Sequence, residues 1–368
     1  MRIALLTSIL IEGGAARVMM NMANAWANAG HTVTLFSFET GAVPPSYPLD
    51  QRVGIVYLNL NRHSPTLAAS LANNLERMRK IRHSILAARP DVVISFIDTA
   101  NVRVVLSLLG SGVPVIVSER VHPRHEHIGS LWEVLRRIAY RLAAGLVVQT
   151  EDIREHCRGW SRRIWVVPNP VFPLAATGSA PVLPRPAVLA VGRLYPQKAY
   201  GLLFEAFTRA SAGHPEWTLC IAGRGEQQAA LERQIQDLGM VGRICLLGQV
   251  EDVGGLLAQA DVYALSSKYE GFPNALSEAL AAGVACVATD CPSGPALLIH
   301  DMENGLLVPN HDGAGLAEAL ERLLSDAGLR QRLGAKAVEV SERFSLERIM
   351  GLWDAVVDET LGRRARNQ

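Results

Sequence analysis

Lysine is scarce in this chain. Only four of its 36 basic residues are Lys (Lys80, Lys198, Lys268 and Lys336), so a Lys inside a motif carries weight. No run approaches the roughly 18 consecutive apolar residues that span a bilayer. The five cysteines (Cys157, Cys220, Cys245, Cys286 and Cys291) show no Cys-x-x-Cys spacing and lie mostly in apolar runs. They read as buried thiols in a reducing compartment, not as a disulfide framework or a zinc site. G-x-G-x-x-G is absent, which counts against a nicotinamide dehydrogenase. Asp-x-Asp is absent too, which removes the usual ligand pattern for a diphosphate-bound metal. The opening MRIALLTSILIEGG has an Arg and an apolar run but no small-residue cleavage site, so a first strand explains it better than a signal peptide. A soluble, cytoplasmic protein is expected, at most peripheral on the inner face of the cell membrane.

What is present is apolar and regular. With 368 residues and 49% apolar content, the chain can build two cores. Short β-rich runs alternate with helical patterns: IALLTS, TVTLFSF, VGIVYL, DVVISF, PVIVSE, GLVVQ and IWVVP. A second series follows with AVLAV, WTLCIAG, RICLLG, DVYALSS, VACVAT and GLLVP. Continuous apolar strands with helical crossovers predict parallel sheets covered on both faces. A stretch rich in Pro and small residues, 168–186, lies between the series and reads as a linker. The expected division is a first domain over 1–170, a linker over 171–186, a second domain over 187–345 and a closing helical segment over 346–368. The fold class is therefore α/β, with two doubly wound parallel-sheet domains whose strand ends face one cleft, where ligands bind. Net charge is only +1, which does not suggest nucleic-acid binding. It is uneven, however: residues 1–173 hold 19 Arg/Lys against 12 Asp/Glu, a net of +7, and the remainder holds 17 against 23, a net of −6. The two halves should meet different things.

Motifs at strand ends carry the chemistry. Gly13 and Gly14 close the first strand and let the backbone turn into a helix, a spacing that alone is plain turn chemistry. Arg193 and Lys198 both sit in the loop after AVLAV. A guanidinium fork beside an ammonium suits a diphosphate. Gly223 and Gly225, and then Gln249, Val250, Glu251 and Asp252, follow two further strands and offer backbone groups to a nucleotide. YEGFPNALSEALAAG places Glu270 on a loop and Glu278 inside the next helix, with Pro273 suited to the first helical position. The free amides of that helix's first turn would point between the two acids. VHPRHEH gathers His122, His125 and His127 after PVIVSE; metal ligation there competes with a place lining the acceptor side.

The ordered set Gly-Gly, Arg-x4-Lys, Glu-x7-Glu and then Glu303-Asn304-Gly305-Leu306-Leu307-Val308-Pro309 resembles the family 4 retaining glycosyltransferases of the GT-B fold. The DCPSGP stretch is similar to members that elongate bacterial lipid-linked, lipopolysaccharide or exopolysaccharide glycans. Differences exist. Gly13-Gly14-Ala15-Ala16-Arg17 stands where the family usually has GGAER, Lys198-Ala199 and Gly201 where it has Lys-Gly/Asn with a following Asp, and Ala285, preceded by Val284, where a Pro is expected after Ala-x-Gly. The resemblance implies a hexosyltransferase taking a hexose or N-acetylhexosamine from a nucleotide diphosphate sugar, with UDP expected, to a hydroxyl of a glycan or lipid-linked glycan. It implies that Glu278 accepts from the ribose hydroxyls, that Glu270 faces the donor sugar, and that amides around Phe272, Asn274, Ala275 and Leu276 hold the β-phosphate. Gly14, Gly223 and Val250 would complete the donor site, Arg193 and Lys198 would stabilise the departing diphosphate, and no metal cofactor is needed. His122 is the candidate for contacting the transferred sugar or incoming hydroxyl, and the closing helix would return to the first domain. A sugar-nucleotide-binding protein without transfer activity and a GT-B-like epimerase remain alternatives.

Two helices suggest how an acceptor is met. Residues 67–88 place Leu71, Leu75, Met78, Ile81 and Ile85 on one stripe with Arg77, Arg79, Lys80 and His83 largely opposite. LWEVLRRIAYRLA adds Arg136, Arg137 and Arg141. One reading leaves these charges in water; the other turns them, with Arg120, toward an anionic bilayer and a polyprenyl diphosphate. The basic tail Arg363, Arg364 and Arg366 reads as a solvated helix end.

Overall fold

A computed structural model describes residues 1–10, 13–60 and 67–363, with side chains from 73 onward in the segment that begins at 67. The chain divides into two compact units, Met1–Asn169 with Glu347–Gln368, and Pro170–Leu346.

In the first unit seven strands, β1 (Arg2–Thr7), β2 (Thr32–Ser37), β3 (Gly54–Tyr57), β4 (Val92–Phe96), β5 (Val115–Ser118), β6 (Gly145–Val148) and β7 (Ile164–Val166), form a parallel sheet in the order β3-β2-β1-β4-β5-β6-β7. Strand β4 is buried at every position, as expected where helices cover both faces. Helices α1 (Gly14–Asn28), α2 (Leu67–Ala87), α3 (Asp98–Ser107), α4 (Ser130–Leu142) and α5 (Glu151–His156) are the crossovers. The C-terminal helix, Leu346–Thr360, packs on this unit: Trp353 meets Trp26 edge-on at 6.4 Å and Phe96 at 6.1 Å, and Trp26 Nε1 donates to Asp354 at 2.7 Å.

The second unit repeats the plan with six parallel strands, β8 (Ala187–Val191), β9 (Thr218–Ala222), β10 (Ile244–Gly248), β11 (Val262–Leu265), β12 (Ala285–Asp290) and β13 (Leu306–Pro309), in the order β10-β9-β8-β11-β12-β13. Helices α6 (Tyr200–Ala210), α7 (Gln228–Asp237), α8 (Val253–Leu257) and α9 (Asn274–Ala281) follow in turn. Each sheet reverses direction of winding once, between β1 and β4 and between β8 and β11. Crevices beyond the carboxyl ends of the strands at such points are where open α/β sheets bind ligands.

Two expectations need correction. The segment read as a linker separate from the second domain belongs to the second unit and is clasped to it: the amides of Thr177, Ser179 and Ala180 donate to Asp252 Oδ2 at 3.0–3.2 Å. Asp252 also caps α8 through the Gly255 amide at 2.7 Å, so its carboxylate is committed to structure and not to a nucleotide. The stripe on α2 is also shorter than its spacing suggests. Ile81 and Ile85 are core, Leu75 is exposed, and the Leu71 side chain lies outside the described residues. Arg364 and Arg366 lie outside them as well. All five cysteines are free thiols; Cys245 is half-buried and the others buried. Among the described residues no helix is long and apolar enough to cross a membrane.

Candidate functional site

At the β8/β11 switch of the second unit, two loops are zipped together. The loop after β8 turns through a short 3-10 helix, Pro196–Lys198, and Ala199 takes a left-handed conformation at φ 50 before α6 begins. The loop after β11 runs from Ser266 to Pro273. Ser266 Oγ donates to the Lys198 carbonyl at 2.8 Å, the Lys268 amide to the Gln197 carbonyl at 2.8 Å, and Gln197 Nε2 to the Tyr269 carbonyl at 2.9 Å. The seam brings Lys198 Nζ to 2.6 Å from Glu270 Oε1, with only 16% and 8% of the two side chains exposed. Ser267 Oγ donates to the same Oε1 at 2.6 Å. Both contacts converge on one oxygen, and Oε2 stands outside that pair. Glu270 is further fixed by its amide, which donates to the Pro292 carbonyl at 3.1 Å, and Thr289 Oγ1 ties the end of β12 to the Ser267 carbonyl at 2.9 Å.

Close backbone approaches complete the crevice, and only glycine permits them. A Cβ at Gly223 would lie 1.9 Å from the Gly192 carbonyl oxygen, so the loops after β8 and β9 touch backbone to backbone. Gly294, at φ +135, sets the Cys291–Pro295 turn against the Pro273 ring, where a Cβ would lie 2.4 Å from Cδ. Pro273 stands just before α9 as its N-cap and not at the first helical position. The Ser277 amide makes the first return bond, to the Pro273 carbonyl at 3.0 Å. The Ala275 and Leu276 amides belong to the first turn, where no earlier carbonyl of the helix is in reach. Glu278 is buried on α9, Asn274 and Ala275 are half-buried, and Phe272 packs edge-on to Phe344 at 5.9 Å. Arg193 is exposed with its guanidinium 4.8 Å from the Tyr195 ring centre, and Val250 is half-buried beyond β10. This crevice gathers Glu270 and Lys198; the contributions of Ser267 and Gly294 were missed from sequence. Ser267 was legible in principle, as a hydroxyl at the end of DVYALSS.

At the strand ends of the first unit, Gly14 opens α1 behind Gly13 at φ +102; Ile11 and Glu12 of the same loop lie outside the described residues. Arg120, buried after β5, lays its guanidinium 3.5 Å from the Phe96 ring centre and donates to Asn169 at 2.9 Å. Desolvation lowers it to about 9. His122 is buried nearby. Its Nδ1 accepts from the Arg124 amide at 3.1 Å, which leaves Nε2 to carry the proton toward Asp152 at 3.2 Å. Burial holds this imidazole down to about 4, with Asp152 pulling the other way and the neighbouring His156 and His125 adding to the drop. Among the described residues no group of three or more His, Cys, Asp or Glu is placed to hold a metal ion.

A buried polar cluster beneath this surface was not legible. Arg136, 1% exposed, reaches Glu119 at 3.6 Å and also pairs with Glu133, while Tyr140 donates to Glu119 and Asn101 Nδ2 lies 3.0 Å from the Tyr140 hydroxyl. Arg136 is therefore inside the first unit, neither in water nor turned toward a bilayer, contrary to both readings of the sequence. Its internal acids hold it there. Burial pushes the Glu119 carboxyl up to about 7 although Arg136 opposes the shift. On α2, Arg77 is half-buried with a 3.3 Å contact to Asn74, whereas Arg79 and Lys80 are exposed.

Comparison with known proteins supplies the family. Residues 13–170 match the Glycosyl transferase 4-like domain, and residues 179–340 match Glycosyl transferases group 1. A Campylobacter jejuni alpha-1,4-N-acetyl-D-galactosaminyltransferase, named for a PP-undecaprenol-linked glycan, is 28% identical over 98% of this chain and 99% of its own. The amylovoran biosynthesis glycosyltransferase AmsD of Erwinia amylovora is 27% identical, covering 96% of this chain and 98% of its own. Among solved structures, S. aureus TarM crystallised with UDP superposes with a TM-score of 0.81 at 15% identity, over 97% of this chain and 99% of that one. Anabaena HepE with UDP and glucose gives 0.77 at 19% identity, over 98% and 100%. With both halves matched and both sheets of the expected kind, the chain belongs to the GT-B glycosyltransferases that join a glycosyl transferase 4-like domain to a group 1 domain.

Proposed function

We propose that the protein transfers a hexose or N-acetylhexosamine from a UDP-sugar to a hydroxyl of a lipid-linked glycan, with retention at the anomeric carbon. The observation that carries this reading is Glu270, a buried carboxylate held through one oxygen by Lys198 and Ser267 at the switch point of the second sheet. Its other oxygen is the acceptor for donor-sugar hydroxyls. The carboxylate charge favours the positive charge that develops at the anomeric carbon as the bond to the diphosphate breaks. Lys198 has three donors, so its ammonium can keep one on Glu270 and turn others to the diphosphate. Arg193 adds a second cation, and the Ala275 and Leu276 amides at the start of α9 a third source of positive potential. Negative charge on the leaving group grows during the reaction, so these contacts strengthen in the transition state and lower the barrier. In this reading Lys198 and Arg193 do the work of a metal ion. Glu278 binds the ribose diol, and Gly14, Gly223 and Val250 line the nucleotide and sugar.

The UDP found in the TarM and HepE structures and the PP-undecaprenol glycan named for the Campylobacter relative support the donor and acceptor classes. At the strand ends of the first unit, His122 and Arg120 are assigned to the acceptor side. The test is consumption of a panel of UDP- and GDP-sugars with and without a polyprenyl-diphosphate-linked saccharide, with the product anomer read by NMR. UDP release that depends on the acceptor, with the donor's anomeric configuration kept, is the expected result. Preference for GDP-sugars, or an inverted product, overturns the corresponding part of the proposal.

A further inference from the structure

Helix α4 has two unlike faces. Arg136, Ala139 and Tyr140 face the core, and its single acid, Glu133, is turned onto Arg136. The opposite face is apolar and in water: Leu131 is 70% exposed, Val134 57%, Ile138 48% and Leu142 53%. At 3.6 residues per turn these four fall within an arc of roughly 80°, with Arg137 and Arg141 along one border. Both arginines are exposed, and Arg137 lies 5.0 Å from the Trp160 ring centre. Leu142, at the helix end, also lines a cavity of 270 Å3 together with Leu108, Leu109, Val113 and Pro114. Exposed apolar side chains scattered singly mean nothing, but a continuous stripe on one helix does.

We propose that this face of α4 docks the protein on an anionic bilayer, with Leu131, Val134, Ile138 and Leu142 seated among the acyl chains and Arg137 and Arg141 at the headgroups. The pattern is that of an interfacial helix, an apolar strip with cations at its edge and no exposed acid. Charge complementarity selects an anionic lipid surface over a second copy of the chain. An isologous pairing of this face would bring the same arginines together with no carboxylate on the face to meet them. The inference rests on the lipid-linked-acceptor reading; of the bilayer-facing charges expected from sequence it keeps Arg137 and Arg141, drops Arg136 and those of α2, and adds the apolar face.

The experiment is flotation of the full chain with vesicles of phosphatidylcholine, alone or mixed with phosphatidylglycerol, in the absence of sugar donor. Because no transfer is measured, failure of docking and failure of the enzymatic reading are separate results. Wild-type protein should partition onto the mixed vesicles, and L131S/I138S should lower the partition coefficient about tenfold or more. R141Q should weaken binding to mixed vesicles by about fivefold and flatten its salt dependence. R79Q/K80Q on α2 is the control and should change it by less than about twofold. Since the replaced side chains stand in water, thermal melts should be unchanged, which keeps the result readable. Wild-type partition of L131S/I138S overturns the proposal. So does loss of binding in R79Q/K80Q alone, or a wild-type dimer in light scattering that L131S/I138S dissolves.

Discussion

Glu270 and Glu278 are both buried acids of one loop–helix unit, yet their surroundings give them different tasks. Glu270 is held by a cation and a hydroxyl, while Glu278 sits one turn past Asn274 on α9. If Glu270 meets charge that develops during transfer, Glu270→Ala should mainly lower the single-turnover rate. If Glu278 meets ribose hydroxyls that do not change, Glu278→Ala should mainly weaken UDP binding, by about 1.5–3 kcal/mol. Calorimetry with UDP and single-turnover kinetics on both variants decide it, and the reverse pattern swaps the roles. In the first unit Glu119 and His122 make opposite contributions to stability against pH. Glu119 keeps its proton to about 7 in the fold, whereas the unfolded carboxyl loses it near 4.5, so its contribution falls as pH rises across that window. His122 stays neutral down to about 4, whereas the unfolded imidazole takes a proton near 6.5, so its contribution falls as pH drops. Glu119→Gln should remove the first effect only. Its stability relative to wild type should climb by up to about 3 kcal/mol between the two Glu119 values, read from denaturant melts at a series of pH values. A constant difference across that window would place the proton elsewhere.

Among elements, the loop that carries Lys198 explains a departure from the family pattern. Ala199 sits at φ 50 and ψ 40, the left-handed region that Gly and Asn adopt readily and a Cβ opposes. Gly or Asn is what the related motif carries after its Lys. Ala199→Gly should therefore stabilise the second unit by about 1 kcal/mol in thermal or denaturant melts while leaving UDP binding intact. A loss of stability would mean the loop has another anchor. The strands were the legible part of this molecule: all thirteen mainly apolar runs became β1–β13, because strands of a helix-covered parallel sheet read as near-continuous apolar runs, most fully at central strands such as β4. The helices were legible as amphipathic but not in orientation. Nothing in LWEVLRRIAYRLA says that Arg136 turns inward, since its partner Glu119 comes from the loop after β5 and Tyr140 must close the gap. Once Arg136 is inside, Leu131, Val134 and Ile138 are left outside. Local periodicity cannot supply that information.

For the whole molecule, the reading without a metal makes a direct prediction. Transfer should persist at full rate in excess chelator, because Lys198 and Arg193 carry the charge duty; restoration of a lost rate by magnesium or manganese would show otherwise. The charge imbalance between the halves, +7 against −6, means that added salt should act on membrane contact through the first half more than on donor binding through the second. The clasp at Asp252 has a consequence for how the chain is handled by proteases. Residues 171–186 look like a cleavage target, being rich in Pro and small residues and mostly exposed. A protease, however, needs several residues of extended chain free of other bonds, and three amides here are tied to one carboxylate. Cutting must wait for that carboxylate to let go, so its rate measures a local opening equilibrium. Asp252→Ala should speed nicking near Thr177–Ala180 by tenfold or more, about 1.4 kcal/mol of lost closure, in a mass-resolved digestion of the native protein. The segment that joins the two units is, in this sense, a latch whose hold can be timed.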